Sequence, residues 1–546
     1  MKLLTLLSVL FLAACSSKPE PLPVDLLSKE LHNESAYIPV QCYADLKRGK
    51  VTANSCYACH VPSKSPNFIE DGQAQLEYSF AAPARKHQWS NYFVDRREAI
   101  ADIDDVDMLD YVRTDNYHAR DGEIALAKKL ADLPKAWDFN GNGRWDGYTP
   151  DVYFDFDSQG FDLNPQGQMT GWRIFAYYPL MGGFMPSNGS TGDVLIRMAE
   201  PFRRNVAGEL DRAVYDANLQ ILSALVGQQG IATTELDERQ FKVDINQDGE
   251  LGVINRIPFE RTLSPAVQFV GQAQALQKQN KIRVTPGMYP LETEFAHSVR
   301  YIDVQGDSTA MANRFKELRY ARKINWRTPG QLVRMVQEEE REAELFPDLL
   351  ETVVGNAEIG INNRLGWQFQ GFIEDQHGEL RPQSYEEQAF CMGCHAGVGS
   401  IHDGIFSYTR RLDKDQFKHS WYHWQEKGLE GIPDRLSQLD LGGEYANYLM
   451  LNPTGDDFGA NREVEEKFFH AAKPVQAEFD RLKNDISHLL MPSPERALQL
   501  NKAYKLIVEE QSFRLGRDPV IEPLQHLFRE VDDGQETGLK DVRRNF

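Results

Sequence analysis

Four of the six cysteines stand in two identical patterns, Cys56-Tyr57-Ala58-Cys59-His60 and Cys391-Met392-Gly393-Cys394-His395, set 335 positions apart. The C-x-x-C-H spacing has a mechanical basis. Two thiols about one helical turn apart can each add to a vinyl group of one porphyrin, and the next histidine can then turn its imidazole toward the iron. The pattern predicts two covalent haems c, one held by Cys56, Cys59 and His60 and the other by Cys391, Cys394 and His395. One such motif alone would also suit a zinc half-site or a redox dithiol. No further C-x-x-C pair completes a zinc centre, however. A chain that carries two such groups must wrap each in protein, and no other sequence feature constrains the fold as strongly.

Ser384-Tyr385-Glu386-Glu387 has capping-box spacing, so a short helix is predicted to start there and deliver Cys391 and His395 to one side of a haem. Asn54-Ser55 offers a similar cap before the first motif. Candidate sixth ligands for the first iron are His87, His118, Met181, Met185 and His297. For the second they are His402, His419, His423, Met450 and Met491, with His297 serving either. Met185-Pro186, following Gly182-Gly183, resembles the Met-Pro element of small class I cytochromes. His297 lies in the strand-like run Phe295–Arg300. Most of these histidines must be ordinary core or surface residues, since at most two distal positions need filling. Cys42 is left over and has three readings: a buried inert thiol, a ligand to the nearby haem, or a reactive or intermolecularly bridged thiol.

At the N-terminus, Lys2 precedes an apolar stretch, Leu3–Ala14, too short to span a membrane comfortably but suited to an export signal. Leu12-Ala13-Ala14-Cys15 resembles the lipobox of bacterial lipoproteins. That resemblance implies removal of residues 1–14, acylation of Cys15, and a polar, proline-containing tether over residues 15–36. Ser16 stands where enteric lipoproteins retained at the inner membrane carry aspartate. The implied location is the envelope of a Gram-negative bacterium, anchored to the outer membrane and facing the periplasm or the cell surface. Asp and Glu outnumber Lys and Arg by 81 to 60, giving a formal net charge of −21. Such a surface argues against nucleic acid and favours a basic redox protein as partner. The sequence leaves the oligomeric state open.

Two acidic loops repeat an oxygen-bearing side chain at every second position before a glycine. Asp244, Asn246 and Asp248, with the Glu250 carbonyl and Asn255 at the twelfth position, resemble the start of an EF-hand loop. Asp138, Asn140, Asn142, Arg144 and Asp146 form a second such run, with Thr149 twelfth. The resemblance implies one or two calcium ions of structural use; the plain alternative is an Asx-rich turn that binds nothing.

Helical periodicity is read over Leu210–Leu225, Ala266–Gln279, 331–351, Val464–Leu490 and the segment after Ser493-Pro494, and strand character over Glu294–Val304. The expected fold class is mainly α with extensive irregular loops and minor β, a multidomain dihaem cytochrome. The expected divisions are a first haem domain over 37–205, a middle region over 206–330 and a helical second haem domain over 331–546. Taken together, the motifs resemble the dihaem c-type cytochromes that are tethered as bacterial lipoproteins. That resemblance covers only a few dozen residues and implies electron transfer between redox partners. The alternative it implies is a dihaem peroxidase- or oxygenase-like enzyme with one substrate-accessible haem. No Ser-His-Asp pattern or phosphate-cradling glycine loop gives hydrolytic or kinase chemistry a foothold.

Overall fold

The computed structural model describes residues 20–48, 51–53, 55–58, 75–175, 193–260, 262, 265–397, 403–405, 429–436 and 442–539. Cys15, Cys59, His60, Met181, Met185, His402, His419 and His423 lie outside them. Nine antiparallel strands form the centre: β1 (Phe161–Leu163), β2 (Met169–Ile174), β3 (Leu195–Arg197), β4 (Glu294–Gln305), β5 (Ser308–Lys323), β6 (Val354–Asn356), β7 (Gly360–Asn362), β8 (Trp367–Glu374) and β9 (Leu380–Pro382). The order across the sheet is β6-β7-β8-β5-β4-β3-β2-β1, and β9 pairs with the far end of β8. A mainly α chain with minor β is therefore the wrong fold class. The sheet draws its strands from residues 161 to 382 and is the largest element described.

The physical reason for that error lies in β5. Its sequence includes Arg314, Lys316, Glu317, Arg319, Arg322 and Lys323, which looks like solvated surface, yet Arg314, Lys316, Glu317 and Lys323 are buried. Hydrophobic alternation cannot reveal a strand whose buried face is charged. Partners elsewhere in the chain make this burial tolerable. Glu374 at the end of β8 has no exposed side chain. It accepts from the hydroxyls of Tyr111 and Tyr301, each at 2.6 Å, and from Arg314 Nε at 2.7 Å. Breaking a buried pair of this kind by removing one member typically costs about 3–5 kcal/mol.

Register fixes what each face presents, because directly opposed residues in antiparallel strands point the same way. One face of β4, β5 and β8 carries successive rungs. The first is Lys323–Trp367, the second Phe295–Ala321–Phe369, the third His297–Arg319–Gly371 and the fourth Val299–Glu317–Ile373. The opposite face is aromatic: Tyr320 stacks on Tyr148 with ring centroids 3.7 Å apart.

Around the sheet, α1 (Asp105–Arg113), capped by Asp104, packs Met108 and Val112 on its distal end. Helix α2 (Arg212–Gly227) forms where helical periodicity predicts one, but it is buried on nearly every side rather than along one face, and Leu210 lies outside it and is exposed. In contrast, α3 (Pro329–Leu345) buries only Leu332. The helix expected over Ala266–Gln279 is confined to Gln272–Lys278. The expected continuous periodicity over Val464–Leu490 breaks into three short helices, because Ala471 and Ala472 take positive φ in a tight hairpin between Phe469–His470 and Lys473–Pro474. Beyond it, α7 (Pro494–Glu510; α4, α5 and α6 are given below) has the predicted Ser493 cap and buries Ala497, Leu500, Ala503, Tyr504 and Ile507.

A separate aromatic layer joins the N-terminal segment to the C-terminal one, through Val40, Tyr43, Tyr78, Trp89, Tyr92, Val520 and Leu527. Within it His87 lies between the rings of Tyr43 and Phe93, with centroids at 4.6 and 5.2 Å, and its Nδ1 accepts from Trp89 N at 3.2 Å. Burial lowers the His87 pKa from 6.5 to about 4. The unfolded chain takes up a proton near pH 6.5 that the folded chain refuses until about pH 4. Stability present above that window therefore declines as pH falls through it. Urea denaturation at successive pH values should show a loss of about 3 kcal/mol owed to this residue, absent in His87→Leu. An identical pH slope in the variant would contradict the assignment.

Candidate functional site

The second C-x-x-C-H motif lies along β5, one contact per rung. Helix α4 (Tyr385–Ala389) opens with the predicted capping box. Ser384 Oγ accepts from Glu387 N at 3.3 Å, and the Glu387 carboxylate accepts from Ser384 N at 2.8 Å. That carboxylate also takes both Arg381 guanidinium arms at 2.8 Å. A turn then leads into α5 (Met392–His395), where His395 N donates to Cys391 O at 3.0 Å. Cys391 and His395 thus stand one helical turn apart, as the motif requires.

The His395 ring sits over Phe369 of the second rung, centroids 4.5 Å apart. Cys391 lies within electrostatic reach of Arg319 in the third. At the fourth, Glu317 accepts from Arg319 Nε and from Arg517 Nη1, both at 3.0 Å. Arg517 also donates to the Glu387 carbonyl and lies over the Phe390 ring. At the first rung Lys323 pairs with Asp403, both side chains fully buried, and Lys323 Nζ donates to Tyr289 O at 2.8 Å.

The Lys323–Asp403 pair anchors the loop that orients the histidine. Gly404 O, next to Asp403, faces His395 Nδ1 at 3.3 Å. A carbonyl only accepts, so Nδ1 carries the proton and Nε2 keeps its lone pair. Burial holds the His395 pKa at about 4, so the ring is neutral at neutral pH. This is the tautomer and charge state of an iron ligand.

Cys56 of the first motif reaches the same place. A Cβ on Gly393 would lie 3.1 Å from Pro39 N, so the absence of a side chain there is what admits this close approach. Pro39 begins the turn Val40–Tyr43, which carries Cys42 and packs on the turn Ser55–Ala58 that carries Cys56. Burial first, then the neighbouring thiols of Cys56 and Cys394 and the Asp457 carboxylate, push the Cys42 thiol well above its ordinary value. Burial likewise raises Cys56 and Cys394 to about 11, each with a contribution from Asp457. Helix α6 (Glu444–Leu451), against the Cys56 turn, supplies Tyr448, whose hydroxyl donates to Asp457 at 3.0 Å. Cys42, Cys56, Cys394 and Asp457 thus form one electrostatic neighbourhood from three distant parts of the chain. The Cys394 side chain is closely surrounded yet keeps solvent access.

The two acidic loops share one construction. Asp138 accepts from Asn142 N and Gly143 N, and Asp244 accepts from Asp248 N and Gly249 N. A buried glutamate clasps each loop at its second and ninth positions. Glu358 takes Phe139 N and Asp146 N, and Glu238 takes Ile245 N and Gly252 N. Asn255 falls in the strand Val253–Ile257 and is exposed, and Arg144 Nε lies 2.8 Å from Asp146. Neither loop is flanked by a helix pair.

Of the other proposed ligands, His118 has both ring nitrogens engaged, by Asp115 and by Tyr153 O. Met450 is exposed on α6, and Met491 packs beside the satellite core of Tyr445, Leu449 and Leu489. His297 is on the sheet face beneath the second motif. Sequence reasoning missed Phe369, Arg319, Arg517, Asp403 and Asp457, none of which has a local pattern that marks it.

A family model whose description reads "-like lipoprotein" matches residues 26–487. An "Uncharacterized lipoprotein" of Aquifex aeolicus (strain VF5) is 29% identical over 591 aligned positions, which cover 98% of this chain and 95% of the relative. No solved structure matches. No cytochrome c family model matches either. Among the described residues no three His, Cys, Asp or Glu side chains form a group that could hold a metal ion, and no helix is long and apolar enough to cross a membrane. These findings overturn the resemblance to the dihaem c-type cytochromes. The chain belongs to the lipoprotein family that its residues 26–487 match, and is a lipid-anchored protein of the cell envelope.

Proposed function

We propose that this lipoprotein, although outside the cytochrome c families, attaches two haems c at its C-x-x-C-H motifs and transfers electrons at the cell envelope. The observation that carries this reading is that Cys56 of the first motif and Cys394 of the second both lie in the electrostatic neighbourhood of Cys42, although 335 positions separate the two motifs. The donor set fits the group. Cys391 and Cys394 are not in disulfides, and His395 is neutral, with its Nδ1 proton facing a carbonyl. A haem bound there would supply a one-electron couple. The chain's own residues do the rest. The Cys391 and Cys394 thiols would form the thioether links, and Gly404 O fixes the His395 ring. Phe369 covers one face of that ring, and the guanidinium groups of Arg319 and Arg517, bonded to Glu317, stand near Cys391. Positive charge at that point favours the reduced state of a neighbouring redox centre. Cys56, Cys59 and His60 would hold the first haem. The net charge of −21 suits a basic redox protein as partner, and the outer membrane is the proposed location.

Protein matured in a host with haem-attachment machinery should carry a mass increment of two haems and give the pyridine haemochrome of thioether-linked haem. Cys391→Ser/Cys394→Ser should retain one. Folded, exported protein without covalent haem would end this reading. Carbon monoxide binding combined with peroxide turnover would replace electron carriage by a peroxidase.

Calcium at the two clasped loops belongs to the same proposal, through Asp244, Asn246, Asp248 and the Glu250 carbonyl, and through Asp138, Asn140 and Asn142. Calcium should raise the thermal midpoint reversibly, and Asp244→Ala should remove part of that rise. Equal melting with calcium and with chelator would rule the ion out.

A further inference from the structure

We infer that His297 is the distal axial ligand of the haem attached at Cys391 and Cys394, opposite His395. This inference rests on the proposed haem attachment.

Register supplies the first argument. Phe369, which lies under the His395 ring, is in the second rung, and His297 is in the third, on the same face of the sheet. The two positions are separated by two strand spacings, about 10 Å, and by one rung, about 7 Å. That offset lets a ring standing up from β4 face a ring held above β8. At β8 itself the third rung is Gly371, which contributes no side chain, and Gln383 packs over it.

Unused hydrogen-bonding capacity supplies the second. The His297 side chain is half-buried, and its Nδ1, out of contact with solvent, has no hydrogen-bond partner. A buried ring nitrogen left this way is costly unless something else takes it up. The other histidines proposed as ligands among the described residues are spent or wrongly disposed. His118 is engaged at both nitrogens, and His87 Nδ1 accepts a backbone proton, which places the ring proton on Nε2 and leaves no lone pair there. Arg319, opposite His297 in the ladder, is drawn toward Glu317 at 3.0 Å.

The test uses the haem-loaded full chain bearing Cys56→Ser/Cys59→Ser, so that only the second haem is read. Low-temperature EPR and the visible spectrum should be those of a low-spin, bis-histidine haem. His297→Ala should convert it to a high-spin haem that binds carbon monoxide, and added imidazole should restore the low-spin spectrum. His297→Met, which keeps a ligating side chain, should stay low-spin but show the near-infrared charge-transfer band of methionine ligation. If His297→Ala or His297→Met keeps covalent haem and an unchanged EPR spectrum, the inference is wrong and the attachment stands. Absence of covalent haem from the parent protein would instead remove the attachment on which the inference rests.

Discussion

Charge buried along β5 has to be answered by opposite charge, and the answers tie this molecule together. Lys323 is met by Asp403, Glu317 by Arg517, and Arg314 by Glu374. Each partner comes from a different stretch of chain. Glu374 belongs to the neighbouring strand, Asp403 to the loop beyond the second cysteine motif, and Arg517 to the C-terminal segment. Such pairs add little net stability over apolar packing, yet an unmatched member is strongly destabilising. We take their value here to be specificity: few arrangements match all three pairs at once, and the observed one lays the second motif along the strand.

That arrangement converts a sheet register into a site. Rungs recur every two residues, about 7 Å, while the motif advances one helical turn between Cys391 and His395, about 6 Å. The two spacings nearly match, so Asp403, His395, Cys391 and the Glu387 carbonyl meet successive rungs. The N-terminal turns close over the other side, where Gly393 allows Pro39 to approach.

What the sequence made legible was local. The capping box at Ser384, the face of α7 and the periodicity of α2 follow from side-chain chemistry within a few residues, and all three are found in the structure. The sheet was not legible, because β5 hides charged residues whose partners lie up to 200 positions away, as with Glu317 and Arg517. Residues 464–490 misled for the opposite reason: apolar spacing suited one helix, but the turn at Ala471–Ala472 divides it. The family resemblance failed because five-residue motifs fix how a porphyrin could be attached and say nothing of the scaffold that presents it. The meeting of Cys42, Cys56 and Cys394 was beyond any local reading.

The central claim is that the two attachment motifs hold their haems close together, and Soret circular dichroism of the haem-loaded protein tests it directly. Two haems held close and rigid couple their transitions. The account predicts a bisignate Soret band that is not the sum of the spectra of Cys56→Ser/Cys59→Ser and Cys391→Ser/Cys394→Ser. A dihaem protein whose Soret dichroism equals that sum would contradict it.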